Sequence, residues 1–418
     1  MKIKLLVLLL ILVIPSVART ITIEDALKLA LEDSEAVRIT VRSSEALRAD
    51  ARKGVAFVKP QARIGARYLR NYSTVEWFPG FETPHWLKSA SIEASQVLWT
   101  GGRILRSLDL KENLYRLSEI TEKSGKRDIR RQVRLAFYGV LFQRAFLDIL
   151  EDRTAQREEE LRDAEDLKNA GMVTSLDVRQ AKLNLNNAME ELQTGEESCN
   201  RALIDFNISI GRSGREELLV PQGRLDSVRG VETRLKRLED AFKQDILLDI
   251  RLARTDLLTS RLSYEIARRG HLPELQLVTS ARSSNEYIGQ MDQEWNVGIQ
   301  LTWNVLDGGL VSSNKAATMA EMQVADNKLK KTRKELAGLV RDLKVSVTSV
   351  DRRIELQRES VTLSGENYED ARGQYRAGTI TLTRLGELNL AYAEARFRLS
   401  RLFYLKRELM IQADALLE

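Results

Sequence analysis

The chain has 418 residues, of which 30% are charged and only 6% aromatic, a composition that favours extended, solvated helices with narrow apolar seams. Its 65 basic and 60 acidic residues nearly cancel, and a net charge of +5 over this length gives no reason to expect nucleic-acid binding. The single cysteine, Cys199, excludes an internal disulfide, so stability must come from packing.

The first 18 residues have the pattern of an export signal. Lys2 and Lys4 precede ten apolar residues, 5–14, and residues 16–18 have the small-x-small pattern of a cleavage site. Ten apolar residues are too few to span a membrane, which makes a retained anchor the weaker alternative. The residue directly after the cleavage point is Arg19 and not a cysteine, which argues against a lipoprotein anchor. We therefore predict that segment 1–18 is a signal peptide and that the protein is exported.

Two parts of the chain repeat each other. The glycine pair at 101–102 recurs at 308–309, and the turn motif at 170–174 recurs at 377–381, a constant offset of 207 residues. In both copies, 69 residues separate the second glycine of the pair from the glycine of the turn (102 to 171, 309 to 378). A shared spacing of that length indicates that one architectural unit is duplicated.

Two long stretches, 103–170 and 309–377, contain no proline that would break a helix by removing a backbone donor. Apolar residues recur there at intervals of three and four, and charged runs such as 157–160 are interpreted as solvated faces. Each stretch is predicted to form one helix of about 65 residues. A cytosolic coiled coil would explain such helices equally well, but not the segments between them. Four shorter helices are predicted over 22–58, 174–209, 231–269 and 380–416.

The segments between the helices alternate like strands. In 295–305 every odd position is apolar and every even position is polar or glycine, and 89–95 repeats the pattern. A period of two gives a strand one apolar face and one wet face. A soluble sheet that buries its apolar face on a core is the alternative to a membrane barrel. All five tryptophans lie in these two hairpin regions, as expected for the aromatic belt of an outer-membrane barrel: Trp77, Trp86, Trp99, Trp295 and Trp303.

Four strands are too few to close a barrel, and an open sheet edge in lipid would leave backbone donors unpaired. The barrel must therefore be shared among chains. Two chains would give eight strands, with an interior filled by side chains, whereas three would give twelve and leave a lumen. A conduit favours three chains.

The predicted organisation is a signal peptide, two repeats and a linker. The first repeat, 19–209, contains a helix, a hairpin (61–100), a long helix (102–169) and a further helix (174–209). Residues 210–230 form the linker. The second repeat, 231–418, contains a helix, a hairpin (274–307), a long helix (309–376) and a further helix (380–416).

This ordered set of motifs resembles the TolC-type outer-membrane efflux proteins, the outer-membrane factors of tripartite efflux and type I secretion systems. It comprises the export signal, Glu24–Leu31, a hairpin, the glycine pair, a long helix, a Gly-x-x-Thr turn and a helix, then a second copy with Glu239–Lys243. No single motif is specific, but the doubled order covers nearly the whole mature chain. The resemblance implies a mainly α fold with a β-barrel contribution. Each protomer would contribute long antiparallel coiled-coil helices and two hairpins to a trimer. The trimer would form a twelve-stranded barrel and an α-helical tunnel.

The resemblance further implies an exit duct in the cell outer membrane that extends into the periplasm. The expected partners are two further copies of the chain, a periplasmic adaptor (membrane fusion) protein, an inner-membrane RND, MFS or ABC transporter, and outer-membrane lipid, with no nucleic acid. The transporter would drive passive export of small molecules or a polypeptide through the duct. A periplasm-spanning structural tether or adhesin stalk without a pore is the alternative function.

The helix–turn–helix tips are the first candidate site. A glycine suits the left-handed residue that ends a helix, and a threonine three residues later can cap the next helix. The resemblance implies that these tips also meet the adaptor, whereas turn chemistry alone would explain the same residues. The predicted tip residues are Gly171, Met172, Val173, Thr174, Ser175, Gly378, Thr379, Ile380, Thr381 and Leu382.

The resemblance also implies polar links that close the periplasmic end. Asp177 and Tyr375 match an Asp–Tyr link, in which a phenol donates to a carboxylate and holds one coil against another. Only part of the pattern is present, because Ile380 replaces the usual arginine partner and Leu176 replaces the threonine before the aspartate.

Arg384 and Glu387 fall where some members of the resembled family carry an acidic entrance ring. Arg384 departs from that pattern, so the resemblance does not predict cation selectivity at the entrance. Charges on a solvated helix face are the alternative explanation for all four gate candidates.

The remaining motifs do not indicate an enzyme. His85, His271 and one cysteine give no ligand cluster for a metal, and no nucleophile elbow or phosphate-binding glycine motif is present. We therefore predict no catalytic residues, no metal and no cofactor. Tight backbone geometry at a barrel–tunnel junction is the predicted role of Gly101, Gly102, Gly308 and Gly309.

Overall fold

The computed structural model describes residues 19–72, 85–212, 217–228, 230–285 and 292–418. The predicted signal peptide, 1–18, and Trp77 lie outside the described residues. The first half contains β1 (Thr20–Ile21), α1 (Ile23–Asp33), α2 (Glu35–Lys53), β2 (Gln61–Arg70), β3 (Trp86–Trp99), α3 (Arg103–Asn169) and α4 (Ser175–Ser209). The second half contains β4 (Val220–Pro221), α5 (Val231–Lys243), α6 (Leu248–Arg268), β5 (Glu274–Ser284), β6 (Asp292–Thr302), α7 (Leu310–Arg376) and α8 (Leu382–Leu417).

The predicted fold class, a mainly α chain with two hairpins in a duplicated order, is confirmed. Both long helices, α3 and α7, contain 67 residues. Neither contains a proline, which is why no backbone donor is missing along their length. None of the helices in the described ranges contains an apolar stretch that could span a lipid bilayer.

Two predicted helices, 22–58 and 231–269, are each interrupted, so the prediction of continuous helices there was wrong. Ser34 ends α1 with an extended ψ of 145°, and its Oγ accepts a hydrogen bond from the Val37 amide at 3.3 Å. Between α5 and α6, Asp245 has a left-handed φ of 56°, and its carboxylate contacts Arg254 at 2.9 Å and Arg333 at 2.5 Å. Short polar side chains offer the backbone local alternatives to helical hydrogen bonds, and both breaks occur at such residues.

One antiparallel sheet contains the four long strands in the order β2-β3-β5-β6. The β2–β3 and β5–β6 pairs are the two predicted hairpins, and β3 pairs with β5 to join them. A register shift between Val97 and Trp99 marks an irregularity near the end of β3. The strand predicted over 295–305 ends earlier, at Thr302. Within the described residues, β2 and β6 are the outer strands, so each has one unpaired edge.

The chain forms two compact units, each with segments from both halves. The first contains the described residues of Met1–Arg38, Gly125–Asp240 and Leu339–Glu418, and the second contains those of Ile39–Ser124 and Ala241–Gly338. In the first unit, the buried rings of Phe137 and Phe206 pack edge to face with centroids 5.7 Å apart. In the second unit, the buried Asn113 of α3 donates to Thr259 Oγ1 of α6 at 2.8 Å. Side chains therefore fix the neighbouring helices within each unit.

Two polar side chains hold the linker to other segments of the first unit. Asn207 Nδ2 donates to the Leu219 carbonyl at 3.0 Å, and the Leu219 amide donates back to Asn207 Oδ1 at 2.9 Å. Arg407 donates to the carbonyl oxygens of residues 224, 225 and 227 at 2.9 to 3.0 Å. Its guanidinium also lies 4.5 Å from the ring centroid of Tyr138.

Candidate functional site

The four-stranded sheet exposes one apolar face. Its register aligns Ile64, Ile92, Ala281 and Trp295 in one row across the four strands. The side chains in this row are not covered, since Ile64 and Trp295 are each 80% exposed. Large exposed apolar surfaces mark contact sites for membranes or other proteins. The sequence predicted this alternation, and the pairing of the strands extends it across the whole sheet.

Three of the described tryptophans lie at strand ends. Trp86 begins β3, Trp99 ends it, and Trp303 follows directly after β6. The indole Nε1 of Trp303 donates to the carbonyl oxygen of His271 at 3.1 Å. Trp295 differs, because it lies within β6 on the apolar face.

The strand-to-helix junctions contain four glycines with positive φ angles, a conformation that other residues rarely adopt: Gly101, Gly102, Gly308 and Gly309. At Gly101 the backbone also passes close to Leu272, since an added Cβ would lie 2.4 Å from its Cδ1. At the second junction, Asp307 accepts hydrogen bonds from the Gly309 amide at 2.9 Å and the Val311 amide at 2.8 Å. These bonds satisfy free amides at the start of α7.

The two helical tips turn with the same hydrogen-bond pattern. After α3, the amides of Gly171 and Met172 donate to carbonyls three and five residues earlier, each at 2.9 Å. After α7, Gly378 and Thr379 make the same two bonds at 2.9 and 3.0 Å. This is the Schellman arrangement, which requires a left-handed residue, and the two glycines have φ of 76° and 71°.

The two tips differ in how the next helix begins. Thr174 caps α4 in a capping box, in which its side chain accepts from the Asp177 amide while Asp177 accepts from the Thr174 amide at 2.8 Å. Thr381 caps α8 by accepting from the Arg384 amide at 3.2 Å. The third helical position there is basic, so the reciprocal bond to a carboxylate is absent.

The tips contact each other and expose apolar groups. An added Cβ on Gly378 would lie 2.7 Å from Met172 Cε, which places the two turns side by side. Met172 and Leu176 are 55% and 64% exposed. Val173, Ile380 and Leu382 instead pack in the cluster of buried side chains behind the tips. The exposed hydroxyl-bearing residues of the tips are Thr174, Ser175, Thr379 and Thr381.

The structure places Asp177 and Tyr375 in the same unit but does not join them by a hydrogen bond. Asp177 accepts from the amide and hydroxyl of Thr174, both at 2.8 Å, and these bonds lower the pKa of its carboxyl. Tyr375 is only 1% exposed, and among the described residues its hydroxyl has no hydrogen-bond partner. Burial, reinforced by the nearby charge of Asp177, raises the pKa of this phenol to about 12.

The other two gate candidates pair with each other. Arg384 Nη1 lies 2.9 Å from Glu387 Oε2, and the two side chains are 60% and 59% exposed. An exposed pair of this kind contributes little to stability, because solvent screens it.

The sequence did not predict a buried polar cluster that lies between α3, α7 and α8. Glu160 of α3 is 1% exposed and accepts hydrogen bonds from Arg157 at 2.5 Å, Asn389 at 3.1 Å and Tyr368 at 3.4 Å. Asn389 also donates to Gln156 at 2.9 Å. A carboxylate therefore joins the end of one long helix to two helices from the other half of the chain.

The electrostatics of this cluster are dominated by burial. Burial raises the pKa of the Glu160 carboxyl, and the charge of Arg157 opposes that rise. Burial and the nearby Glu160 charge also raise the pKa of Tyr368. Arg157, itself 5% exposed, additionally donates to the Gly386 carbonyl at 3.3 Å. The cluster is thus a buried ion pair that is also hydrogen-bonded to neutral groups.

Interpreting 157–160 as a solvated face was wrong for two of its four residues. Glu158 is exposed and Glu159 partly exposed, but Arg157 and Glu160 are buried. Their spacing of three places both on one helical face, which was the available signal. That face is covered because α7 and α8 pack against it.

Comparisons with known proteins agree with this architecture. The family model described as "Outer membrane efflux protein" matches residues 26–212 and 248–408. The proteases secretion protein PrtF of Dickeya chrysanthemi is 27% identical over 212 residues, which cover 46% of this chain and 46% of that protein. The match therefore spans about half the length of PrtF.

Solved outer-membrane proteins share the fold. The CmeC outer membrane channel of Campylobacter jejuni has a TM-score of 0.81 and 14% identity, over 94% of this chain and 84% of that chain. The outer membrane protein VceC of Vibrio cholerae has a TM-score of 0.79 and 15% identity, over 94% and 95%. The family match covers most of the sequence, and the fold extends over nearly all of it. This chain therefore belongs to the outer membrane efflux protein family.

Proposed function

We propose that the protein is the outer-membrane exit duct of a tripartite efflux or type I secretion system. One observation carries the proposal: a four-stranded sheet with an exposed apolar face and, within the described part of the chain, two unpaired edges. In lipid, every backbone hydrogen bond must be satisfied within protein, so an open sheet is not a stable spanning structure. Edge strands of neighbouring copies satisfy those bonds when they pair with each other.

Three copies would close a twelve-stranded barrel with a lumen, whereas two would give an interior filled by side chains. The strands suit a bilayer, because β2, β5 and β6 have 10, 11 and 11 residues. Tilted strands of about 9 to 11 residues cross the hydrocarbon layer. In this arrangement the apolar face meets lipid, and strand-end tryptophans such as Trp86 and Trp303 lie at its interfaces. Segment 1–18 would direct the chain to export.

The helical tips are the proposed contact with a periplasmic adaptor. Met172 and Leu176 project exposed apolar side chains beside exposed hydroxyls, a mixture typical of protein interfaces. Asp177, Tyr375, Arg384 and Glu387 lie in or next to these turns and would respond to a partner that moves them. The four junction glycines would provide the tight backbone geometry between the barrel strands and the tunnel helices.

An inner-membrane partner would supply the energy, since the sequence contains no nucleotide-binding motif. Small molecules and polypeptides are both proposed cargo. PrtF is named for protease secretion, which supports a polypeptide, whereas CmeC is named only as a channel.

Reconstitution tests the proposal. The purified protein should migrate as a heat-modifiable trimer and conduct ions in a planar bilayer, and deletion of its gene should sensitise cells to toxic compounds or block secretion. A monomer that never conducts, even when its tips are altered to open it, would support the non-conducting stalk instead. Protease access to the loops between the strands on intact cells would separately test the orientation.

A further inference from the structure

The strand register places six charged side chains of the sheet on one face. Three consecutive rows of the polar face each contain one basic and one acidic residue. The rows are Arg63–Glu93–Ser280–Asn296, Gly65–Ser91–Arg282–Glu294 and Arg67–Ser89–Ser284–Asp292. We name these six charged residues the charge band.

On the apolar face of the same strands, the three rows that alternate with the charge band contain no charged residue. Its rows are Ala62–Ala94–Thr279–Val297, Ile64–Ile92–Ala281–Trp295 and Ala66–Ala90–Ser283–Gln293. Charges that served only solubility would be expected on any solvated position. Within these three rows the charges lie on one face only, with opposite signs in every row, which indicates that this part of the face has its own electrostatic role.

The charge band is narrow. Rows on one face of a strand are two residues apart, so three rows span about 13 Å along the strands. Arg63 faces Glu93, and Arg282 faces Glu294, on adjacent strands. Arg67 and Asp292 lie instead on the two outer strands, opposite Ser89 and Ser284. The direct pairs also favour this register, because opposite charges on facing residues of adjacent strands attract each other.

We propose that the charge band is the charge-compensated filter of the barrel lumen. The inference rests on the proposed function, because it requires the polar face to line a conduit. Rings of charged side chains set the ion preference of a pore, and a low-dielectric wall strengthens their field. Since each row is neutral, the band does not exclude cargo of either sign. Removing one sign exposes the other and makes the conduit selective.

Reversal potentials under a KCl gradient test the filter. The variant Arg63→Gln/Arg67→Gln/Arg282→Gln leaves only acidic groups, so permeability to K⁺ relative to Cl⁻ should rise at least about twofold. The variant Glu93→Gln/Asp292→Asn/Glu294→Gln should shift it by a similar factor towards Cl⁻. Both shifts should be clear at 0.1 M salt, where the screening length is about 10 Å, and nearly vanish at 1 M, where it is about 3 Å.

Two controls separate the band from net charge. Lys88 and Arg70 lie on the opposite face of the sheet, so Lys88→Gln/Arg70→Gln should leave the reversal potential unchanged. The pair variant Arg63→Gln/Glu93→Gln removes one charge of each sign and should also leave it unchanged. If the triple variants do not assemble, the single variants Arg63→Gln and Glu93→Gln should show smaller shifts in opposite directions.

The outcomes distinguish this inference from the proposed function. Variants that conduct with the wild-type reversal potential would show that the band only fixes strand register, and the duct would stand without the filter. An equal shift from Lys88→Gln/Arg70→Gln would overturn the assignment of faces. Absence of conductance in the wild type and in all variants would refute the duct, and the filter with it.

Discussion

Replacing Arg157 by methionine would test the buried cluster most directly. The substitution keeps an apolar stem of similar length but removes the cation 2.5 Å from Glu160. Breaking one partner of a buried ion pair typically costs about 3 to 5 kcal/mol, because the other charge stays buried without compensation. Asn389 and Tyr368 continue to donate to Glu160, so the lower part of that range is expected.

Protonation of Glu160 limits the stability that Arg157→Met loses and makes that loss depend on pH. With a reference pKa of about 4.3, holding a proton on this carboxyl at pH 7 costs about 1.36 × 2.7, or roughly 3.7 kcal/mol, and at pH 5 about 1 kcal/mol. The direction of this pH dependence follows from burial, which raises the pKa of the Glu160 carboxyl in the folded state. Below the pKa of the unfolded state, the protonated carboxyl makes its full contribution to the free energy of unfolding. That contribution is lost as the pH rises through the pKa of the folded state.

Native-state hydrogen exchange of residues 154–164 measures this locally and avoids irreversible global unfolding. After correction for intrinsic rates, Arg157→Met should lose protection about 150- to 500-fold at pH 7 and only about fivefold at pH 5. The double variant Arg157→Met/Glu160→Gln leaves no buried charge and retains an acceptor, so it should lie within about 1 kcal/mol of wild type. Arg384→Met breaks an exposed pair and is the matched control, with a loss below about 0.5 kcal/mol. Wild-type protection in Arg157→Met, or a double variant as weak as the single one, would refute this reasoning.

Three further variants test how the tips and the linker are built. Thr174→Ala should lower helix stability by about 1 kcal/mol, which is more than Thr381→Ala, because only Thr174 belongs to a capping box. The expected measurement is faster hydrogen exchange in the first turn of α4 in Thr174→Ala than in the first turn of α8 in Thr381→Ala. Gly378→Ala should cost about 1 to 2 kcal/mol of local stability, since its φ of 71° disfavours any residue with a Cβ, and unchanged exchange at this tip would contradict that. Arg407→Met should free the carbonyls of residues 224, 225 and 227 and speed proteolysis there at least about tenfold, whereas Arg398→Met, which breaks an exposed pair, should not.

The sequence by itself determined the order of the elements, because these signals are local. Glycines at 101–102 and 308–309 mark the starts of the long helices, and the absence of prolines lets each run for 67 residues. The alternation in 295–305 predicted a strand with two different faces, which is a property of the extended backbone alone. The sequence pattern did not reveal which charges share a row of the sheet, since that depends on how four strands from different parts of the sequence pair.

Only the tertiary structure decided which polar groups are buried and which find partners. Periodicity places Arg157 and Glu160 on one helical face, but the covering of that face depends on α7 and α8, whose residues lie more than 200 positions away. Likewise, Asp177 was a plausible partner for Tyr375, yet the nearer Thr174 occupies its carboxylate. A helical pattern specifies directions around one axis, whereas burial depends on how many other helices approach along each direction.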